Sequence, residues 1–85
     1  MEDSHPNINA ALMEAVRNQL RDNNPPETRI NYDRLLAQGI SEEDAKNFIA
    51  QAISIEIWDI MKNKTEFKLK RFIRNVNNLP AEPKE

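Results

Sequence analysis

The sequence contains no cysteine, no long apolar run and only one glycine, and the first two of these absences each exclude a class of protein. A chain without cysteine forms neither disulfide bonds nor thiolate metal sites. Spanning a bilayer takes roughly 20 consecutive apolar residues, and no segment of this chain approaches that length. The opening letters MEDSHPN are acidic and polar, unlike the basic and then apolar start of a secretory signal. We therefore expect a cytoplasmic protein that does not associate with membranes.

The net charge of −2 hides an uneven distribution of charged residues along the chain. Residues 1–61 contain 5 Lys and Arg against 11 Asp and Glu, whereas residues 62–85 contain 7 against 3. Such a division is found in nucleic-acid-binding proteins and equally in subunits that pair with one another. The 85 residues form one domain at most, and a core of this size is marginal unless a partner contributes to it.

Apolar residues spaced three and four apart predict an all-α fold, a compact bundle of about four helices. Helix 2 is expected to begin at or just after Pro26, behind the DNNPP segment that ends helix 1, and to end at Gly39. Helix 3 is expected to follow Ser41 and to continue to about Lys62, and helix 4 to start near Thr65. Because helix 3 is apolar around nearly all of its circumference, we expect it to be the central helix.

Composition divides the chain into three segments. Residues 1–6 are expected to be flexible, residues 7–78 to form the single helical domain, and residues 79–85, which read LPAEPKE, to be disordered. Inside the domain, the acidic stretch QGISEEDAKNF is interpreted as a helix boundary and not as a binding site. Ser41 suits the N-cap position, and the acids that follow it favour the positive end of a helix dipole.

Three segments of the chain resemble a family of small uncharacterised bacterial helical domains with paired H-x-x-x-H motifs: HPNINAALMEAVRNQL, PPETRINYDRLLAQGISEEDAKNFI and IEIWDIMKN. The resemblance covers roughly residues 5–75. In that family the paired motif implies a divalent metal held between two helices by histidines one turn apart. The matching positions in this chain are Asn9, Met13, Glu43 and Asn47, and none of them is histidine.

The resemblance therefore implies that the metal site has been lost, and we expect no bound metal or cofactor. A protein that still binds a divalent metal, in weakened form, is the first alternative function. The only histidine, His5, precedes a proline near the start of the chain and is interpreted as a solvated residue.

Two polar residues fall within predicted apolar stripes, Gln19 on helix 1 and Glu56 on helix 3. A carboxylate in a core needs a partner or a proton. The partner of Glu56 is expected to be a lysine or arginine of helix 4, or water. A first alternative is a hydrogen bond between Glu56 and Gln19 that fixes the helix register. A second alternative is that Glu56 keeps a residual ligand or catalytic role. No second carboxylate, serine or histidine is placed to complete a catalytic set, so we expect no enzyme.

Helix 3 has more apolar surface than three short neighbours can cover, and Phe48, Ile55 and Trp58 fall together on one side of it. Ile30 on helix 2 is placed to border this side. If helix 4 does not cover them, these residues form an exposed patch of the kind that marks an interface. We therefore expect a non-enzymatic protein-interaction or structural module. It is expected to self-associate as a homodimer or to bind an unknown protein partner.

The basic stretch KNKTEFKLKRFIRN around helix 4 offers nucleic-acid binding as a second alternative function. Its apolar residues are needed in the core, and the acidic remainder of the chain would repel phosphates. Nucleic acid is therefore the less favoured partner.

Overall fold

The computed structural model describes residues 8–85, which form four α-helices. The helices are α1 (Ile8–Asp22), α2 (Pro26–Ala37), α3 (Glu42–Asn63) and α4 (Leu69–Asn77). α3 is the longest and packs against α1, α2 and α4. The predicted all-α bundle with a central third helix is thus confirmed for this part of the chain. The segment expected to be flexible, and His5 within it, lies outside the described residues.

The boundary between α2 and α3 follows the chemistry of the acidic stretch. Gly39 has a φ of +91°, a conformation that residues with a Cβ rarely adopt. Ser41 has an extended backbone, and its hydroxyl accepts a hydrogen bond from the backbone N–H of Asp44 at 3.1 Å. Glu42 and Glu43 share the first turn with Asp44, where their negative charges interact favourably with the positive end of the helix dipole. The predicted helix boundary is confirmed.

α4 begins at Leu69, four residues later than predicted. Lys64 ends α3 in the left-handed conformation, with a φ of 58°, and residues 64–68 contain no helix. The backbone N–H of Lys68 donates to the carboxylate of Glu56 on α3 at 2.9 Å. This tertiary contact holds Lys68 in an extended conformation at the N-cap position, so that the helix starts only after it.

The hydrophobic core draws on all four helices. Its fully or almost fully buried apolar residues are Val16, Leu20, Tyr32, Leu35, Ala45, Ile49, Ala50, Ala52, Ile53, Phe72, Val76 and Leu79. Leu79 belongs to the segment for which disorder was expected, yet only 2% of it is exposed. A turn after α4, with a hydrogen bond from the N–H of Leu79 to the carbonyl of Val76, returns this side chain to the core. None of the helices in residues 8–85 has both the length and the apolar character that crossing a membrane requires.

Candidate interaction surface and buried ion network

An apolar surface extends across α1 and the second half of α3. We call it the α1/α3 face and define it by the six large apolar side chains that, apart from the buried Ile53, line two adjacent grooves: Ile8, Leu12, Ile55, Ile57, Trp58 and Met61. The two grooves have volumes of about 360 and 240 Å³. Trp58 and Met61 are 57% and 64% exposed. Ser54 is the one polar residue among those that line the two grooves.

The α1/α3 face arises from helical spacing on two helices. Ile57 and Met61 are one turn apart on α3, and Ile8 and Leu12 are one turn apart on α1. The two pairs line the same grooves, so that each helix contributes one row of apolar side chains. Large exposed apolar patches on a small protein usually mark an interaction surface.

The structure separates the four residues that the sequence nominated for an interface. Ile55 and Trp58 lie on the α1/α3 face. Phe48 is half-buried and packs against the core, where it supports the fold. Ile30 is 62% exposed but lines neither groove. Two of the four nominated residues therefore come together and two do not.

The sequence reasoning missed the other four members of the face. Ile8, Leu12, Ile57 and Met61 were not among the residues nominated for an interface. The available signal was the excess of apolar residues on helix 3. Choosing which of them remain uncovered requires the position of α1, which a helical wheel does not supply.

The positions that the resemblance aligned with histidines lie mostly together. Asn9, Met13 and Asn47 line one groove of about 590 Å³ between α1 and α3, and Glu43 is not among its lining residues. Amides and a thioether are weak ligands for zinc. Within residues 8–85, no group of three or more His, Cys, Asp and Glu side chains could hold a metal ion.

Glu56 lies at the centre of a buried ion network that joins α3 to α4. None of its surface is exposed, and both of its carboxylate oxygens accept hydrogen bonds from the Arg71 guanidinium. Arg71 also donates to Asp59 at 2.9 Å. The Lys68 ammonium lies 3.3 Å from the same Asp59 carboxylate. Bidentate arginine–carboxylate geometry of this kind fixes two helices relative to each other.

The network shifts the pKa values of two of its charged groups, Asp59 and Arg71. The pKa of Asp59 is lowered well below its usual value because the carboxylate accepts hydrogen bonds from Asn63, Arg71 and Lys68. The pKa of Arg71 is raised, mainly by its hydrogen bonds with Glu56. Both groups therefore remain charged across the physiological range.

The structure places Glu56 against an arginine of helix 4 and not against Gln19. The side-chain oxygen of Gln19 accepts a hydrogen bond from the hydroxyl of Thr28 at 2.7 Å, which joins α1 to α2. The alternative of a Gln19–Glu56 register bond is therefore wrong. Each residue instead connects its helix to the next one along the chain.

The side chains of three of the six cations of the basic stretch have partners within the protein. Arg71 and Lys68 pair with acids of α3, and Arg74 donates to the backbone carbonyl of Lys84 at 2.9 Å. Four cations of the stretch, Lys62, Lys64, Lys70 and Arg74, are exposed and form no ion pair among residues 8–85.

Comparison of the chain with known proteins found no relative. No family model, no curated protein and no solved structure matches it. The resemblance to the paired-histidine domains therefore stays a prediction, and a proposal about function depends on the geometry of this molecule alone.

Proposed function

We propose that this protein is a non-enzymatic interaction module that self-associates through its α1/α3 face. The observation that supports the proposal is the exposure of Trp58 beside Met61 and Ile8, in a surface with almost no polar atoms. Tryptophan at the centre of an apolar patch is a frequent hot spot of protein association. In water such a surface costs free energy, which burial against a partner recovers.

A second copy of the chain is the partner that this surface fits best. The face is apolar from end to end, so it is complementary to itself, as a two-fold interface requires. A two-fold axis that crosses α3 near Trp58 brings two α3 helices together in antiparallel orientation, which pairs opposite ends of their dipoles. The net charge of −2 opposes such a dimer only weakly.

The size of the face sets the expected affinity. Six large side chains form it, whereas a standard interface uses roughly 20–30 residues on each side. A contact of this size supports a transient dimer, with a dissociation constant in the micromolar range, on the order of 10–100 μM.

The test compares the solution mass of three proteins by light scattering or sedimentation, from low to several hundred micromolar. Wild type is expected to pass from monomer to dimer over this range. Trp58→Glu is expected to remain monomeric, because it places a charge in the apolar contact. Ile30→Glu is the matched control, since Ile30 is equally exposed but lines neither groove.

Three results contradict the proposal. The first is a wild type that stays monomeric at the highest concentration. The second is a Trp58→Glu variant that dimerises like the wild type while its circular dichroism shows an intact fold. The third is a loss of the dimer in Ile30→Glu, which would move the contact to another surface.

A further inference from the structure

The last residues of the sequence occupy a polar site on α4. Asn75 is buried, with 3% of its surface exposed, and its side-chain amide forms two hydrogen bonds with one residue. The amide N–H donates to the carbonyl oxygen of Lys84 at 2.9 Å, and the amide oxygen accepts from the backbone N–H of Lys84 at 3.1 Å. Arg74 donates to the same carbonyl at 2.9 Å.

This geometry is that of a β-ladder in which a side-chain amide replaces one strand. The N–H and the C=O of one residue point to the same side only when its backbone is extended. A planar amide with a donor and an acceptor side by side then pairs with both. Because the three hydrogen bonds end on backbone atoms, the pairing does not depend on the side chain at position 84.

The charges around the groove add a preference for the residues on either side of the paired position 84. Glu82 and Glu85 line the groove between the segment and α4, together with Arg74. Arg74, the one cation of α4 that lines this groove, favours acidic residues on either side of the paired backbone. Pro83, directly before the paired residue, excludes helix at Glu82 and favours extended backbone there.

We propose that Asn75 and Arg74 form a binding site for an extended peptide with acidic residues on both sides of the paired position. Residues 82–85 of the chain itself occupy the site, and a peptide of the same chemistry binds there when this segment is displaced. None of these residues lies on the α1/α3 face. The site is therefore independent of the proposed self-association.

The test uses the full chain with one substitution that opens the site and one that does not. Lys84→Pro removes the N–H that the Asn75 oxygen accepts, whereas Lys84→Ala removes only the side chain. The probe is the peptide acetyl-AEPKE-amide, which carries residues 81–85. A second peptide carries an N-methyl group on the backbone nitrogen of its lysine, so that this residue cannot donate a backbone hydrogen bond to Asn75. The reporter is the side-chain amide resonance of Asn75 in ¹⁵N NMR spectra.

In the wild type and in Lys84→Ala, we expect the amide at position 84 to exchange more slowly than in the free peptide. In Lys84→Pro, we expect the Asn75 resonance to shift and the peptide to restore its position in a saturable way, at millimolar concentrations comparable to the effective concentration of a short tether. The N-methylated peptide is expected to bind about tenfold more weakly, as the loss of one hydrogen bond predicts.

Four results would overturn the proposal. If the backbone amide at position 84 exchanges hydrogen in the wild type as fast as in the free peptide, the hydrogen bond to Asn75 is not formed. A peptide that produces no saturable shift in Lys84→Pro at roughly 10 mM removes binding in trans. Equal binding of the peptide by Lys84→Ala and Lys84→Pro, or of the two peptides by Lys84→Pro, places the contact elsewhere.

Discussion

Replacing Arg71 by methionine tests whether the ion network holds α3 and α4 together. The substitution keeps an unbranched side chain of comparable reach but removes the guanidinium that donates to Glu56 and Asp59. Glu56 is fully buried and keeps one donor, the backbone N–H of Lys68. A buried carboxylate that loses its cation must keep its charge without compensation or take up a proton.

The expected loss is large relative to the stability of so small a domain. Removing one partner of a buried ion pair costs about 3–5 kcal/mol. A domain of this length has a free energy of unfolding of roughly 4–13 kcal/mol. Replacing both partners, as in Arg71→Met with Glu56→Leu, leaves no uncompensated charge. We therefore expect the double variant to recover much of the loss.

The assay is urea unfolding followed by circular dichroism at pH 7, with all variants at one protein concentration because dimerisation would contribute to stability. With a denaturant slope of about 1.5 kcal/mol per molar urea, the midpoint of Arg71→Met is expected to fall by roughly 2–3 M. Lys70→Met is the control, since Lys70 is the exposed neighbour on the same helix, and its midpoint should change little. A loss below about 1 kcal/mol in Arg71→Met would refute the reasoning.

Two further outcomes concern the helix boundary and acid stability. Gly39→Val should cost about 1–2 kcal/mol in the same urea assay because of its positive φ, and Gly39→Asn less; equal losses would contradict backbone strain, since a Cβ there meets no atom within 4 Å. The lowered pKa of Asp59 means that its contribution to stability is complete above about pH 4 and disappears as the pH falls towards the folded-state pKa. Asp59→Asn should therefore flatten the decline of unfolding free energy with acid, and an unchanged slope would contradict this.

Local signals in the sequence predicted the fold because they act within one turn of chain. Gly39 and Ser41 end one helix and begin the next through their own backbone and hydroxyl, whatever surrounds them. The start of α4 was predicted wrongly because Thr65 has the residue type of an N-cap. In the structure, the Thr65 hydroxyl is buried without a hydrogen-bond partner among residues 8–85, and the Glu56 carboxylate, twelve residues away, binds the Lys68 N–H instead.

The candidate sites show the same limit at longer range. Helical wheels identified Gln19 and Glu56 as polar residues within apolar stripes, but a wheel specifies a face and not the neighbour that the face meets. Thr28 reaches Gln19 because the short connection between the two helices places the first turn of α2 beside the last turn of α1. Arg71 reaches Glu56 because the loop before α4 is itself tied to that carboxylate.

The final segment shows what composition does not record about a short polar stretch. The letters LPAEPKE have two prolines, three charges and little apolar content, which is the composition of a disordered tail. Composition averages over the stretch, whereas its placement depends on two particular positions. Leu79 packs in the core, and Lys84, five residues after Leu79, pairs through its backbone with the Asn75 side chain. A backbone pairing of this kind uses atoms that every residue except proline possesses, so it leaves no mark on the amino-acid composition.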